Sequence, residues 1–376
     1  MNVKIIFFAT ILIVLMGCKG KSTSSLDEPV DSIPLKYAEH ISMVKHKLYT
    51  VVNLQDPWHT GKTLHTYILI DRHDSAKVHL LPQGTVVYTP VERSVVFTTA
   101  HCKLLEMLGM ADKIKGVADL KYILIPAIQH RVKTHLIVDC GNAMSPTIEK
   151  IISIKPQAIL LSPFENSGGY GQIEKIGCPI IELADYMETS PLGRAEWMKF
   201  YGILFGCEQR ADSLFQVVDS SYQALKAQAK KWNVVRKMLT EQMIGSVWYC
   251  PGGKSTIAQM IRDANGHYAF ANDTHSGSLP LSFEEVLAKA GNSDVWALKC
   301  NGTSQLTRQI LLSQYHGYKA LQAFQYNNIY VCYSSITPFF EETPFRPDYL
   351  LRDFIIMLHP EASSFGQLKY FVKLTS

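Results

Sequence analysis

EQRADSLFQVVDSSYQALKAQAKK, residues 208–231, decides how the rest of the chain is read. It holds neither glycine nor proline, and Ala211, Leu214, Phe215, Val218, Tyr222, Leu225 and Ala229 recur at helical spacing. At the usual rise per residue such a helix spans roughly 36 Å. That is long for an element inside one small lobe and the right length to run between two.

Working outward, strands and helices alternate on both sides. Before the helix come SVVFTT (94–99), the apolar-faced helix CKLLEMLG (102–109), IKGVAD (114–119) and TIEKIISI (147–154), a helix expected to start from Ser145 and Pro146. QAILLS (157–162), a helix over YGQIEKIG (170–177) and PIIEL (179–183) follow. After it, IGSVWYC (244–250) reads as a strand and KSTIAQMIRDA (254–264) as a helix. Ser282 and Glu285 form a capping box for SFEEVLAKA. SDVWALK (293–299) and NIYVCY (328–333) are strands, and PDYLLRDFIIMLH (347–359) is a closing amphipathic helix.

This order predicts an α/β fold: two Rossmann-like lobes with parallel sheets, joined by one long rigid helix. LYTVVNL (48–54), TYILI (66–70) and KVHLL (77–81) predict an antiparallel β extension before the first lobe. The expected division is 35–190 for the first lobe with its extension, 191–232 for the interlobe helical segment and 233–376 for the second lobe.

The N-terminus reads as an export signal. Lys4 precedes the apolar run IIFFATILIVLM (5–16), too short to span a bilayer but suited to a signal peptide. Leu15-Met16-Gly17-Cys18 fits a lipoprotein cleavage site, so residues 1–17 are expected to be removed and Cys18 to carry lipid. KGKSTSSLDEPVDSIP (19–34) then reads as a flexible tether, giving a tether domain of 18–34. The remaining cysteines are scattered without a C-x-x-C pair, which predicts small buried side chains and no zinc or redox motif, with one disulfide still open. A net charge of +4 over 376 residues, without a basic run, predicts no nucleic-acid partner.

Catalytic and nucleotide motifs are missing. VWYCPGGKST (247–256) ends like a phosphate-binding loop, yet the first glycine of that motif falls on Trp248. G-x-S-x-G and H-E-x-x-H do not occur, and Glu341-Glu342 reads as a solvated pair. In open parallel sheets, ligands sit beyond the carboxyl ends of the strands. The segments there supply Thr99, His101, Tyr122, Phe164 and Asn166 in the first lobe. Trp248, Tyr249, Gly252, Gly253 and Trp296 are the second-lobe candidates. Two such edges facing one another suit a large, flat, partly apolar ligand.

Taken in order, several blocks resemble the periplasmic substrate-binding lipoproteins of ABC importers for iron–siderophore complexes, haem and cobalamin. They are Arg93–Val96 through LLEMLGMADKIKGVAD, TIEKIISIKPQAILLS with Gln157 at the family's usual Asp, KIGCPII, the unbroken helix, and WYCPGGKSTIAQMIRDANG. The match covers roughly residues 93–359. The resemblance implies a monomer without a cofactor of its own, lipid-anchored in the periplasm, that hands a metal chelate to the permease dimer of an importer. It also implies docking on permease arginines through one glutamate per lobe, Glu149 and Glu284. Haem would favour an axial His or Tyr, with His101 first; cobalamin would favour aromatic stacking; an anionic siderophore would favour Lys or Arg. A free-metal receptor would need three or four His, Asp or Glu ligands, of which only His101 and Asp119 stand close. The rival expectations are a tetrapyrrole chelatase using His101 with Glu165, and a purely structural surface lipoprotein.

Overall fold

The structure, a computed structural model, describes residues 29–165, 169–302, 305–361 and 365–374. Cys18, the expected signal peptide and Asn166 lie outside the described residues.

The first sheet pairs β1 (Pro29–Ile33), β2 (Ile41–His46), β3 (Thr50–Gln55) and β4 (Thr63–Asp71) antiparallel, and adds β5 (Thr85–Thr89) parallel to β4. Two expectations change here. Residues 29–33 are a strand on the sheet edge rather than part of a tether, because backbone pairing to β2 needs no apolar periodicity. KVHLL is not a strand. It belongs to the crossover that a parallel β4–β5 pair requires, and Leu80 is 83% exposed. Just after β1, two buried carboxylates hold the chain. Glu196 accepts the backbone N–H groups of Lys36, Tyr37 and Ala38, and Glu188 accepts those of Glu39 and His40.

The second sheet is wholly parallel. It contains β6 (Ser94–Val96), β7 (Ile114–Val117), β8 (Val138–Asp139), β11 (Ala158–Leu161) and β12 (Ile180–Glu182), in the order β12-β11-β6-β7-β8. Helices α1 (Thr99–Met107), α2 (Pro126–Lys133) and α3 (Ile148–Ile154) connect its strands. Ser145 does not cap α3. A small hairpin of β9 (Gly141–Asn142) and β10 (Ser145–Pro146) takes it, and Thr147 is the N-cap. The helix expected over 170–177 shrinks to a single 3-10 turn, Glu174–Ile176, closed by Gly177 at φ +71°. Gly169 and Gly171, also left-handed, leave no room for a helix start.

Helices α4 (Pro191–Glu196) and α5 (Met198–Phe205) lead into α6 (Glu208–Ala229). The 22 residues of α6 run without a break and bury Ala211, Phe215, Val218, Tyr222 and Ala229, the stripe that its sequence spacing defines. Asp219 on α6 accepts a hydrogen bond of 2.7 Å from Tyr37 on the first-lobe side. One turn on, Tyr222 donates at 2.8 Å to Asp263, on the second-lobe side, and Lys226 pairs with the same carboxylate at 2.8 Å. One helix is therefore bonded to both halves of the molecule.

The third sheet starts with β13 (Met238–Thr240). β14 (Met243–Ile244), β15 (Val247–Pro251) and β16 (Ser278–Leu281) form a separate antiparallel sheet. IGSVWYC is thus not a parallel strand. Ile244 pairs with Val247, so Gly245 and Ser246 make a two-residue hairpin turn, and Gly245 supplies the positive φ of 61°. β17 (Val295–Cys300) and β18 (Ile329–Tyr333) run parallel to β13, and β19 (Val372–Lys373) closes the edge antiparallel. Helix α7 (Thr256–Asp263) is capped by Ser255, and α8 (Phe283–Ala290) carries the expected capping box. α9 (Arg308–Gln314), α10 (Gln322–Gln325), α11 (Phe339–Glu342) and α12 (Pro347–Leu358) complete the chain, with α12 packed along α6.

Phe215→Ala removes a buried ring from the α6 interface and is expected to cost about 3 kcal/mol or more in denaturant unfolding. Val218→Pro, which breaks the helix ladder at mid-length, should cost at least as much. An α6 variant of either kind with an unchanged midpoint would contradict the strut.

Candidate functional site

The carboxyl ends of the two parallel sheets meet. β6 runs into Thr98, whose side chain caps α1 by accepting from the His101 N–H. The next residue, Thr99, donates at 3.1 Å to Glu341 Oε1 of α11, which follows β18 in the other half. The same oxygen accepts the Leu124 N–H at 3.0 Å, from the segment after β7. Glu341 is 2% exposed, so the expectation of a solvated pair fails. Two first-lobe donors replace the water that this carboxylate would otherwise need. Beside it, Glu342 accepts from Lys369 at 2.9 Å.

Next to this contact lies a cavity of about 220 Å³, between α4 and the second lobe. Arg194, Thr256, Lys299, Phe339 and Phe340 line it. Lys299 is the last residue but one of β17; its ammonium pairs with Glu241 and lies 5.4 Å from the centre of the Phe339 ring. Arg194 Nε donates at 3.0 Å to Asp185 Oδ2, and the other oxygen of that carboxylate faces His101 Nε2 at 2.9 Å. Burial pushes the Asp185 carboxyl up, but His101 and Arg194 outweigh it and hold it below its ordinary value.

The sequence-derived residues part company here. His101 is 1% exposed, packed near Tyr201 and Phe345 and bonded to Asp185, so it faces no ligand. Its imagined pairing with Glu165 is not formed, and Glu165 is exposed. Trp248 and Trp296 are fully buried. Their rings lie 5.7 Å apart, and their indole N–H groups donate to the carbonyls of Thr240 and Glu241. Alternate residues of a strand point to opposite faces, so Trp248 and Cys250 turn inward and Tyr249 outward. Gly252 and Gly253 are packed against segment 270–277. A Cβ on Gly252 would collide with the His275 carbonyl, and one on Gly253 with that of Asp273. The N–H groups of Gly252 and Lys254 donate to carbonyls of that segment, so the loop cradles no phosphate.

Tyr122 and Phe164 remain exposed, at 62% and 48%, just beyond β7 and β11. Tyr186 beyond β12 and Phe340 beyond β18 join them as exposed rings at the same edges. Sequence reading missed both, together with Arg194. The start signal of α4 was available, since Ser190 caps it and Pro191 opens it. Nothing in the sequence said that the third residue after Pro191 would turn toward the cleft.

Glu149 and Glu284 are exposed in the first turns of α3 and α8. Glu285 is occupied by the capping box. The seven described cysteines are free; burial pushes the thiol of Cys140 up to about 11 and that of Cys250 up to about 12. Among the described residues no helix is long and apolar enough to cross a membrane. No group of three or more His, Cys, Asp or Glu is placed there to hold a metal ion.

The profile of the family described as periplasmic binding protein matches residues 95–335. The chain belongs to the periplasmic binding protein family. The match starts after the β1–β5 sheet, which precedes the family region. A lipoprotein of Methanocaldococcus jannaschii is 25% identical over 362 residues, 90% of this chain and 85% of its own. A second lipoprotein of that organism is 22% identical over 97% of this chain and 96% of its own.

Among solved structures, the periplasmic haem-binding protein RhuT of Roseiflexus sp. RS-1 superposes with a TM-score of 0.58 at 22% identity, covering 72% of this chain and 99% of its own. A protein of the Fe3+-hydroxamate transport system of Saccharomonospora viridis gives 0.57 at 18%, with 72% and 94% covered. The vitamin B12 binding protein BtuF of Vibrio cholerae gives 0.54 at 14%, with 73% and 98% covered. These likenesses establish the two-lobed fold of this periplasmic binding protein.

Asp185→Asn removes the buried charge that both His101 and Arg194 face, and is expected to cost about 3 kcal/mol at neutral pH. A lowered folded pKa means that the unfolded chain binds the proton first, so this stability is present above the ordinary Asp value of about 4 and fades as pH falls below it. Denaturant titrations of the two proteins should therefore converge in acid. A gap that stays constant down to the acid limit would contradict the assignment.

Proposed function

We propose that this periplasmic binding protein is the substrate-binding component of an ABC importer. It captures an iron chelate, a siderophore or haem, or else cobalamin, between its lobes and delivers it to a permease dimer, acting as a monomer. The observation that carries this reading is the meeting of the two strand-end edges at Thr99 and Glu341, with exposed rings of Tyr122, Phe164, Tyr186 and Phe340 along those edges. Flat apolar faces with a few polar groups suit a macrocycle or a chelate shell. Fold neighbours whose names refer to haem, ferric hydroxamate and vitamin B12 support the same class.

In this reading residues 35–190 and 233–376 are the lobes and 191–232 their connection. Lipid on Cys18 anchors the receptor on the periplasmic side, as its lipoprotein relatives support. Glu149 and Glu284, exposed one on each lobe, dock on the permease, where opposite charges steer the encounter and set the register. The reading assigns no catalytic step.

Titration of intrinsic tryptophan fluorescence with haem, cobalamin and several ferric siderophores tests it. Saturable quenching at one ligand per chain, with the ligand recovered unchanged, is expected for one of these classes. No quenching by any of them would remove the reading. Glu149→Ala combined with Glu284→Ala should abolish uptake in cells while affinity stays within about twofold, since both carboxylates are exposed and neither lines a described cavity. A collapse of affinity in that double variant would contradict the docking role.

A further inference from the structure

The cavity between α4 and the second lobe carries charge of one sign. Two of its lining residues, Arg194 and Lys299, are cations, and no Asp or Glu is among the described residues that line it. At about 220 Å³ it is smaller than the sites that enclose whole ligands, which run to about 300 Å³ and more. It fits the edge of a larger guest. A larger cavity, about 590 Å³, lies elsewhere, between the β1–β5 sheet and α5–α6. Asp31, Asp71, Asp74, Glu208 and Asp212 line that one beside Lys45, Lys47 and Lys199, so its charge is mixed with acids in excess, unlike the all-cationic lining beside α4.

Arg194 is held in place. Its Nε–H donates to Asp185 Oδ2, and Asp185 is fully buried and braced from the other side by His101. That is the one described bond of the guanidinium, which leaves both terminal nitrogens without a described protein partner, on a side chain 25% exposed. A guanidinium has five donors in a fixed fork, so a carboxylate on one edge leaves the other edge available for a second, bidentate anion. Packing fixes the fork before the ligand arrives, so little rotamer freedom remains to be lost on binding. Lys299, across the same cavity, lies above the Phe339 ring with its charge paired to Glu241, so Arg194 is the cation with donors to spare.

We infer that Arg194, oriented by Asp185, is an anion-binding edge of the cleft and makes the receptor prefer chelates that carry carboxylate or other anionic groups over neutral ones. Arg194 is the contacting residue and Asp185 a positioning residue. The inference rests on the receptor reading above and narrows it: a neutral hydroxamate shell can offer the guanidinium acceptor oxygens but no net charge, whereas a propionate or catecholate edge offers both.

Two matched ligand pairs test this: hemin against hemin dimethyl ester, and an anionic ferric tris-catecholate against a neutral ferric tris-hydroxamate. Citrate alone is followed in parallel by thermal shift. The anionic member should bind about tenfold more tightly or better in at least one pair. In Arg194→Gln that ratio should fall toward one, with Asp185→Asn in between. Because the ratio compares two ligands on the same preparation, partial unfolding of a variant does not alter it. Citrate should raise the Tm of the wild-type chain and not that of Arg194→Gln.

The inference falls if neutral members bind as tightly as anionic ones, or if Arg194→Gln weakens both members equally. Citrate protection that depends on Arg194, without binding of any chelate, would keep the anion edge and remove the receptor reading. No citrate effect and no chelate binding would remove both.

Discussion

The unbroken backbone ladder of α6 is the constraint on which the rest depends. Its 22 residues join the halves of the molecule without a flexible joint. A helix kinks sharply only where its hydrogen-bond ladder is disturbed, and no glycine or proline disturbs this one. Side chains one turn apart attach it to opposite halves, Asp219 to Tyr37 and Tyr222 to Asp263. The direct contact of Thr99 with Glu341 adds a second tie at the base of the cleft. Lobes joined twice have little freedom to hinge, so a guest meets surfaces already in place.

Buried carboxylates act as fasteners throughout. Glu188 and Glu196 hold residues 36–40 through backbone N–H groups, Asp353 holds Lys369 and Tyr370 in the same manner, and Glu341 joins the lobes. An ionised carboxylate away from water is costly unless its lone pairs are filled, and several N–H donors on one group fill them. The arrangement specifies one docking geometry for each segment, because sliding by a residue would strand the charge. Asp185 follows the same rule with a different outcome. Its partners are the side chains of His101 and Arg194, and the second of these also lines the cavity beside α4.

A periplasmic binding protein with a stiff connection selects its ligand by the surfaces that it presents rather than by closing around it. Exposed rings beyond β7, β11, β12 and β18 offer flat apolar faces, and the cationic cavity beside α11 gives one end of that surface a sign. Apolar contact favours a bulky shell in general, and a fixed guanidinium discriminates among shells by their charge.

Local rules were enough for much of the fold. The helical stripe of α6, the capping box at Ser282 and Glu285 and the apolar runs of β11 and β17 each depend on residues a few positions apart, and each formed as its sequence reads. The alternation of strands and helices likewise determined one parallel sheet and the parallel part of a second, whose edge strand β19 is antiparallel. What sequence could not decide was how side chains far apart in the chain would be shared between burial and cleft. Trp248, Trp296 and His101 had the chemistry of ligand contacts, yet the pleat of β15, the burial of β17 on both faces and the carboxylate of Asp185 drew them inside. Glu341 looked like a solvated acid until two donors more than two hundred residues away enclosed it. Arg194 gained its orientation only when β6 and β12 brought His101 and Asp185 together. Helix period and caps act over one turn, whereas burial is settled by whichever distant segment arrives on the other side.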